Sequence, residues 1–248
     1  MAATSHTTLR TMARFAAEAF AETLWPTRCA VCDAPGEVLC AACAAQLPYI
    51  DYWRACPRCS APFGRVQCTE CNAVMLAGIG LASLPFASLR SAVVFDEITR
   101  RIVAAYKDQG ERRLAPVMAD AMARLVAPDA SAREGVVSFI PATKRARARR
   151  GFDHAELLAH LVAERLGMPL AHLLARPSSK DQRALSRAGR IRNMQGRFAC
   201  ETPASALPPR IFLIDDVCTT GATLAAAAQA LLDGGAQRVD CLTFARVQ

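Results

Sequence analysis

The sequence predicts an α/β protein: a mostly parallel sheet with helices on both faces, preceded by a small cysteine-rich module. Apolar strand-like runs alternate with helix-period segments across residues 79–248, the pattern of a doubly wound sheet. Eight of the 11 cysteines fall before residue 72, in four Cys-x2-Cys pairs. Hydrophobic residues make up 52% of the 248-residue chain and charged ones 21%, enough to build one sizeable core rather than a disordered chain.

Residues 1–25 read as an amphipathic lead-in helix, because Met12, Phe15, Ala16, Ala19, Phe20 and Leu24 recur at helical spacing. Glu18 and Glu22 interrupt any targeting-type apolar stretch. Nothing in the chain reaches the roughly 18 apolar residues of a spanning helix, so the expectation is a cytoplasmic protein without an integral membrane segment.

Residues 26–75 carry the cysteine pairs Cys29/Cys32, Cys40/Cys43, Cys56/Cys59 and Cys68/Cys71. Seven residues separate the first two pairs and eight separate the last two, a near-repeat that argues for two sites built from adjacent pairs. A crossed pairing is left open by spacing alone. Four thiolates suit tetrahedral Zn2+, and the two-residue gap lets both sulfurs of a turn reach one ion. A disulfide framework would need an oxidising compartment that nothing in the sequence indicates. A site made of four cysteines leaves no water position, so the two Zn2+ ions are expected to be structural, in a double zinc ribbon.

The next domain, residues 79–248, is read element by element. "SLRSAVVF" has the β-branched look of a strand, and "ITRRIVAAYKDQG" that of a helix ended by Gly110. "RLAPVMADAMARLVAP" reads as a helix with Pro116 in its first turn. "GVVSFIPA" is a strand covered on both faces. Asp153 and Glu156 make a capping-box-like start for "HAELLAHLVAERLG", which Gly167 closes. "PLAHLLAR" is read as a further strand and residues 177–198, without periodicity, as a mobile loop. "RIFLI" is a buried strand, "ATLAAAAQALLDGG" a helix and "RVDCLTFARV" the last strand.

Charge is uneven. Residues 141–197 hold 13 Lys/Arg against 4 Asp/Glu, a local +9 within a net +8. Such a segment suits an anionic ligand, either phosphates or nucleic acid.

The most informative stretch is "FLIDDVCTTGATL". In an open α/β sheet, ligands bind beyond the carboxyl ends of the strands, where Asp215 and Asp216 are expected. Two carboxylates accept hydrogen bonds from a vicinal diol. Thr219, Thr220, Gly221, Ala222 and Thr223 then lead into a helix, and small residues there let backbone N–H groups close around a phosphate. Diol acceptors beside a phosphate cradle describe a holder of ribose 5-phosphate. A Walker A loop needs a Lys that is missing, and a dinucleotide fingerprint puts its glycines before the acid.

"FLIDDVCTTGAT" resembles the phosphoribosyl-pyrophosphate signature of type I phosphoribosyltransferases. "PATKRARARRGFDHAELLA" and "DQRALSRAGRIRNMQGRF" are similar to two arginine-rich stretches of the ComF family, which also carries amino-terminal zinc ribbons. The resemblance implies a type I phosphoribosyltransferase-like fold that binds phosphoribosyl pyrophosphate with Mg2+ and transfers the phosphoribosyl group to a nitrogen acceptor. It implies that Asp215 and Asp216 hold the ribose hydroxyls and that Cys218 to Thr223 form the 5-phosphate loop. Lys107, Arg183 and Arg187 would also bind substrate, while Arg145 and Arg150 would stabilise the departing pyrophosphate. Residues 182–197 would form a mobile hood. Cys218 reads as a small filler rather than a nucleophile. Asp153 and His154 stand where the family usually has Asn and Gln, Asp108 stands for a Tyr and Thr143 for a frequent His, departures that bear on the acceptor side. ComF relatives are linked with DNA uptake in competent bacteria, which implies single-stranded DNA or competence-machinery proteins as partners and a regulatory phosphoribosyl site as the rival reading.

Overall fold

The computed structural model describes residues 26–126, 135–177 and 198–248. The lead-in segment 1–25 and the whole of the expected hood 182–197, with Arg183 and Arg187, lie outside them. The chain divides into two compact units, residues 1–46 and residues 47–248.

In the first unit, a tight turn at Asp33 and Gly36, both with positive φ, folds the chain so that the Cys29 amide donates to the Ala34 carbonyl at 2.8 Å. Short helix α1 (Ala41–Ala45) follows the Cys40 corner. The second unit opens with the other cysteine pairs and helix α2 (Ala73–Gly78), capped by the Asn72 side chain.

The sheet then begins with β1 (Ser88–Val94), β2 (Val136–Phe139), β3 (Arg210–Cys218) and β4 (Arg238–Arg246). All three pairings are parallel, in the spatial order β1-β4-β3-β2. Helices α3 (Glu97–Lys107) and α4 (Ala115–Ala123) join β1 to β2, with Pro116 in the first turn of α4. After β2 come α5 (Lys144–Arg150), α6 (His154–Leu166) and, between β3 and β4, α7 (Ala222–Asp233). Strand side chains alternate between faces. Ile211, Leu213, Val239 and Cys241 therefore pack with Leu224, Ala228 and Leu231 of α7. Across the sheet, α6 lies on β2 and β3, and α4 on β1 and β4. Alanines at 225, 227 and 228 let α7 come close to the strands.

At the amino ends of the strands, buried Asp240 accepts from Ser88 Oγ at 2.7 Å, Arg210 Nε at 2.9 Å and Arg238 Nε at 2.7 Å. Burial opposes its ionisation, but these donors hold the carboxyl below its usual range. One carboxylate thus fixes the register of three neighbouring strands and leaves the opposite, carboxyl ends open for chemistry.

Three expectations need correction. "PLAHLLAR" is not a strand: it makes only single bridges, Leu170 to Val137 and Leu174 to Cys200. Pro169 cannot donate to a ladder, and the segment contributes one carbonyl and one amide to Val137 before leaving the sheet. The strand "RIFLI" runs four residues further than expected, through the acid pair to Cys218. The arginine stretch 144–150 coils into α5, which no apolar periodicity announces because none of its residues is buried.

Candidate functional site

The eight expected metal ligands form two clusters: Cys29, Cys32, Cys40 and Cys43, and separately Cys56, Cys59, Cys68 and Cys71. The pairing left open by spacing is therefore sequential, not crossed. Sulfur separations are 3.7 Å for Cys32–Cys40 and Cys56–Cys71 and 3.5 Å for Cys59–Cys68. Tetrahedral Zn–S bonds of about 2.3 Å put sulfurs about 3.8 Å apart, so the donor set fits one Zn2+ per cluster. Both centres are closed four-thiolate sites and structural.

The second centre is tied to the sheet. The Ser91 amide donates to Ser60 Oγ at 3.0 Å, and the Leu89 amide to the Arg58 carbonyl at 2.9 Å.

At the carboxyl end of β3, Asp215 and Asp216 have opposite strand parity, yet their carboxylates converge. Each curls to accept the next residue's amide at 2.9 Å, Asp215 from Asp216 and Asp216 from Val217. Lys107, at the end of α3, meets Asp216 at 2.7 and 3.0 Å. The Asp216 side chain is 2% exposed and that of Asp215 14%, so Asp215 is the more accessible acid. Burial and the neighbouring Asp216 charge push the Asp215 carboxyl up. Burial works the same way on Asp216, but the His154 imidazole and the Lys107 ammonium outweigh it and hold that carboxyl down.

His154 is the residue the sequence reading underrated. It starts α6, with Nε2 at 3.7 Å from Asp216 and 4.0 Å from Asp215. Its Nδ1 lies 3.3 Å from Arg150 Nη1. A guanidinium only donates, so Nδ1 accepts and the neutral ring's proton sits on Nε2, facing the acids. Burial, reinforced by Lys107 and Arg150, pushes the His154 pKa down. Arg150 closes α5, is 11% exposed, and among the described residues its buried Nε donor has no partner. Gly151 takes the left-handed turn, φ 76°, that brings Arg150 and His154 together.

Asp153 beneath this group is the helix cap the sequence indicates, accepting from the Glu156 amide at 3.4 Å. It also accepts from the Ala142 amide at 2.9 Å and pairs with Arg176 at 2.7 Å. Only the first of these partners was legible from local spacing.

Beyond the strand, Thr219 and Thr220 are exposed and Gly221 adopts φ 76°. Gly221 is the N-cap of α7 and supplies no side-chain acceptor; Thr220 Oγ1 receives the Ala222 amide at a long 3.4 Å. The helix thus starts with amide donors and the positive end of its dipole directed at the loop. Ala222 and Thr223 are half-buried behind it. Cys218 is 1% exposed and faces inward, where it accepts from Arg246 Nη1 at 3.3 Å. Arg145 sits exposed on α5, whereas Arg150 alone of the two arginines joins the acid group.

The chain is thus a zinc-bearing α/β protein with an acid–lysine–histidine cluster at the carboxyl end of a parallel sheet. Residues 20–75 match the family described as a double zinc ribbon domain. The chain is 29% identical to the competence protein ComFC of Bacillus subtilis over 86% of its own length and 85% of that protein's. It is 26% identical to ComFC of Streptococcus pneumoniae over 77% and 80%. A DNA utilization protein, YhgH, of Salmonella typhi matches at 35% over 43% of this chain and 47% of the relative. These likenesses over most of the chain, together with the double zinc ribbon, support a ComF family protein. No helix among the described residues is long and apolar enough to cross a membrane.

Proposed function

We propose that this protein binds phosphoribosyl pyrophosphate at the carboxyl end of β3 and acts in the handling of incoming DNA, as the names of its relatives suggest. The observation that carries the ligand is the joint geometry of Asp215 and Asp216 with the uncapped start of α7. A sugar's vicinal hydroxyls would meet the acids, Asp215 first because it is the more accessible, while its 5-phosphate would rest on the amides and hydroxyls of Thr219 to Thr223. The diphosphate would run toward Lys107, Arg150 and Arg145. Arg150 Nε supports this reading, since a buried donor without a partner among the described residues calls for an acceptor. Mg2+ would arrive with the diphosphate and neutralise part of its charge.

The reaction such a site supports is displacement of pyrophosphate from carbon 1 of the ribose by a nitrogen nucleophile. Charge grows on the leaving oxygens, where the arginines and Lys107 would be best used. His154, with its proton on Nε2 toward the acids, would donate to Asp215 or Asp216 and orient them rather than act as a base.

Titration calorimetry with phosphoribosyl pyrophosphate and Mg2+ tests the reading. Binding should disappear in Asp215→Asn/Asp216→Asn, and heat of binding retained by that variant would refute the assignment.

One observation favours a second ligand. Tyr52 and Trp53 are exposed and stack edge-on at 5.3 Å, Arg54 covers the Phe63 ring at 4.6 Å and Arg90 covers Tyr52 at 4.8 Å. Stacking faces interleaved with arginines suit single-stranded DNA. Affinity for an oligonucleotide should fall steeply with salt and survive the double Asp variant; loss in that variant would merge the two sites.

A further inference from the structure

The last residue of β4 joins two features that the proposed function treats separately. Arg246 is 4% exposed, and its guanidinium reaches three groups. Nη1 donates to Cys218 Sγ at 3.3 Å. Nη2 lies 4.0 Å from Cys59 Sγ, a ligand of the second zinc centre, and 3.5 Å from Glu70, which stands between ligands Cys68 and Cys71. Its backbone is fixed as well. Arg246 pairs with Cys218 in the ladder, its carbonyl accepts from the Phe95 amide at 2.7 Å, and the Val247 amide donates to the Cys218 carbonyl at 2.9 Å.

We infer that Arg246 is a positioning residue that couples metal loading of the second zinc centre to the conformation of the loop after Cys218. A buried guanidinium cannot shed its proton, so it needs a nearby anion. Glu70 is 38% exposed and partly answered by water. Four thiolates overbalance one Zn2+, so the loaded centre is itself an anion and supplies the rest. Without the ion nothing holds the four sulfurs together, and the guanidinium loses that counter-charge. Arg246 then has reason to move toward solvent, and its other hand is on Cys218, the residue from which Thr219, Thr220 and Gly221 spring.

This inference gives the proposed phosphate loop a regulator and rests on that reading only for its biological sense, because the coupling itself is measurable without any ligand. The experiment uses the full-length, zinc-loaded chain and two readouts. Competition with a chromophoric chelator reports zinc affinity, and hydrogen exchange followed by mass spectrometry reports residues 217–224. In Arg246→Met, one of the two ions should leave at about tenfold lower chelator concentration, the size expected for a lost outer partner. Exchange across 217–224 should quicken, while the 29–43 peptide stays unchanged. Arg246→Lys keeps the charge without the fork and should fall between.

Cys68→Ser, which cripples the second centre in an otherwise native chain, should quicken the same loop, and Cys32→Ser in the first centre should not. The Cys pair of variants decides the matter if Arg246→Met does not fold. Unchanged loop exchange in Cys68→Ser, or equal change in Cys32→Ser, overturns the coupling. Phosphoribosyl-pyrophosphate titration of the wild type is read separately, so a missing ligand and a missing link give different results.

Discussion

Replacing Lys107 with methionine removes the cation that the acid pair is built around. Lys107 Nζ sits 2.7 Å from one oxygen of Asp216 and 3.0 Å from the other. At an effective dielectric of about 20, a 2.7 Å separation corresponds to a gross attraction of about 6 kcal/mol, before desolvation is subtracted. Asp216 is 2% exposed and the lysine 25%, so the carboxylate bears most of that desolvation. Breaking a buried pair by deleting one partner typically costs about 3–5 kcal/mol, and the partial exposure of Lys107 argues for the lower end, about 3 kcal/mol at pH 7.

The pH dependence gives the sharper check. In the wild type, Asp216 is held below its unfolded value, so the stability it confers is present at neutral pH and lost as pH falls through the folded pKa. In Lys107→Met the same carboxyl, now beside Asp215 without the lysine, is held down less, so the variant has less of this stability to lose to acid. The gap between the two proteins should therefore narrow steadily below neutrality. Urea unfolding at pH 7 and at successively lower pH measures it. Lys107→Met/Asp216→Asn should recover much of the loss at pH 7, since the double variant has no stranded charge. A single-variant cost under about 1 kcal/mol, the range of an exposed pair, with no pH dependence, would refute a buried lysine–aspartate lock.

Three other outcomes follow from the same geometry. Arg176→Ala strands Asp153, whose side chain is fully buried; unfolding should be easier by about 2–3 kcal/mol, discounted from the buried-pair range because the Ala142 and Glu156 amides remain. His154 is held below its ordinary value by burial, so stability should decline as pH falls from about 6.5 toward the lowered folded pKa, because only the unfolded chain protonates there. His154→Gln should flatten that decline in a pH series of thermal melts. Gly221→Ala meets no atom closer than Cys218 Sγ at 3.8 Å, so its cost is conformational, about 1 kcal/mol for a left-handed turn. Its larger effect should be weaker sugar-phosphate binding by calorimetry.

Much of the fold was legible because its signals are local. Strands β1, β3 and β4 announce themselves as apolar runs, and Gly167 takes the left-handed turn that ends α6 where the sequence marks it, whereas α3 already stops at Lys107, ahead of Gly110. The cysteine clusters were legible for the same reason: a two-residue gap is a geometric instruction that needs no knowledge of the rest of the chain. Helix α5 escaped because a helix that buries nothing has no hydrophobic period to read. The end of β3 escaped because polarity was taken as the end of a strand. Parallel pairing with β4 continues through Asp215↔Thr243 to Cys218↔Arg246, and the ladder there is made by backbone groups that side-chain polarity does not report.

The candidate site was half legible, and the missing half consists of long-range partners. Asp215 and Asp216 stood out as neighbours, but which would be buried depended on Lys107, 109 positions away from Asp216. His154 looked like a departure from a family pattern rather than a member of the cluster, since its role requires Arg150 on one ring nitrogen and the acids on the other. Arg246 drew no notice within the last strand, since its partners Cys218, Cys59 and Glu70 are all distant in sequence. Taken together, Lys107, Arg150 and Arg246 show why the net charge of the arginine-rich segment was a poor guide to the site. Two of these three cations come from outside residues 141–197. What sets them apart from the exposed arginines of α5 is burial against a carboxylate, an imidazole or a thiolate, where a charge must be answered by a fixed partner and thereby fixes that partner in turn.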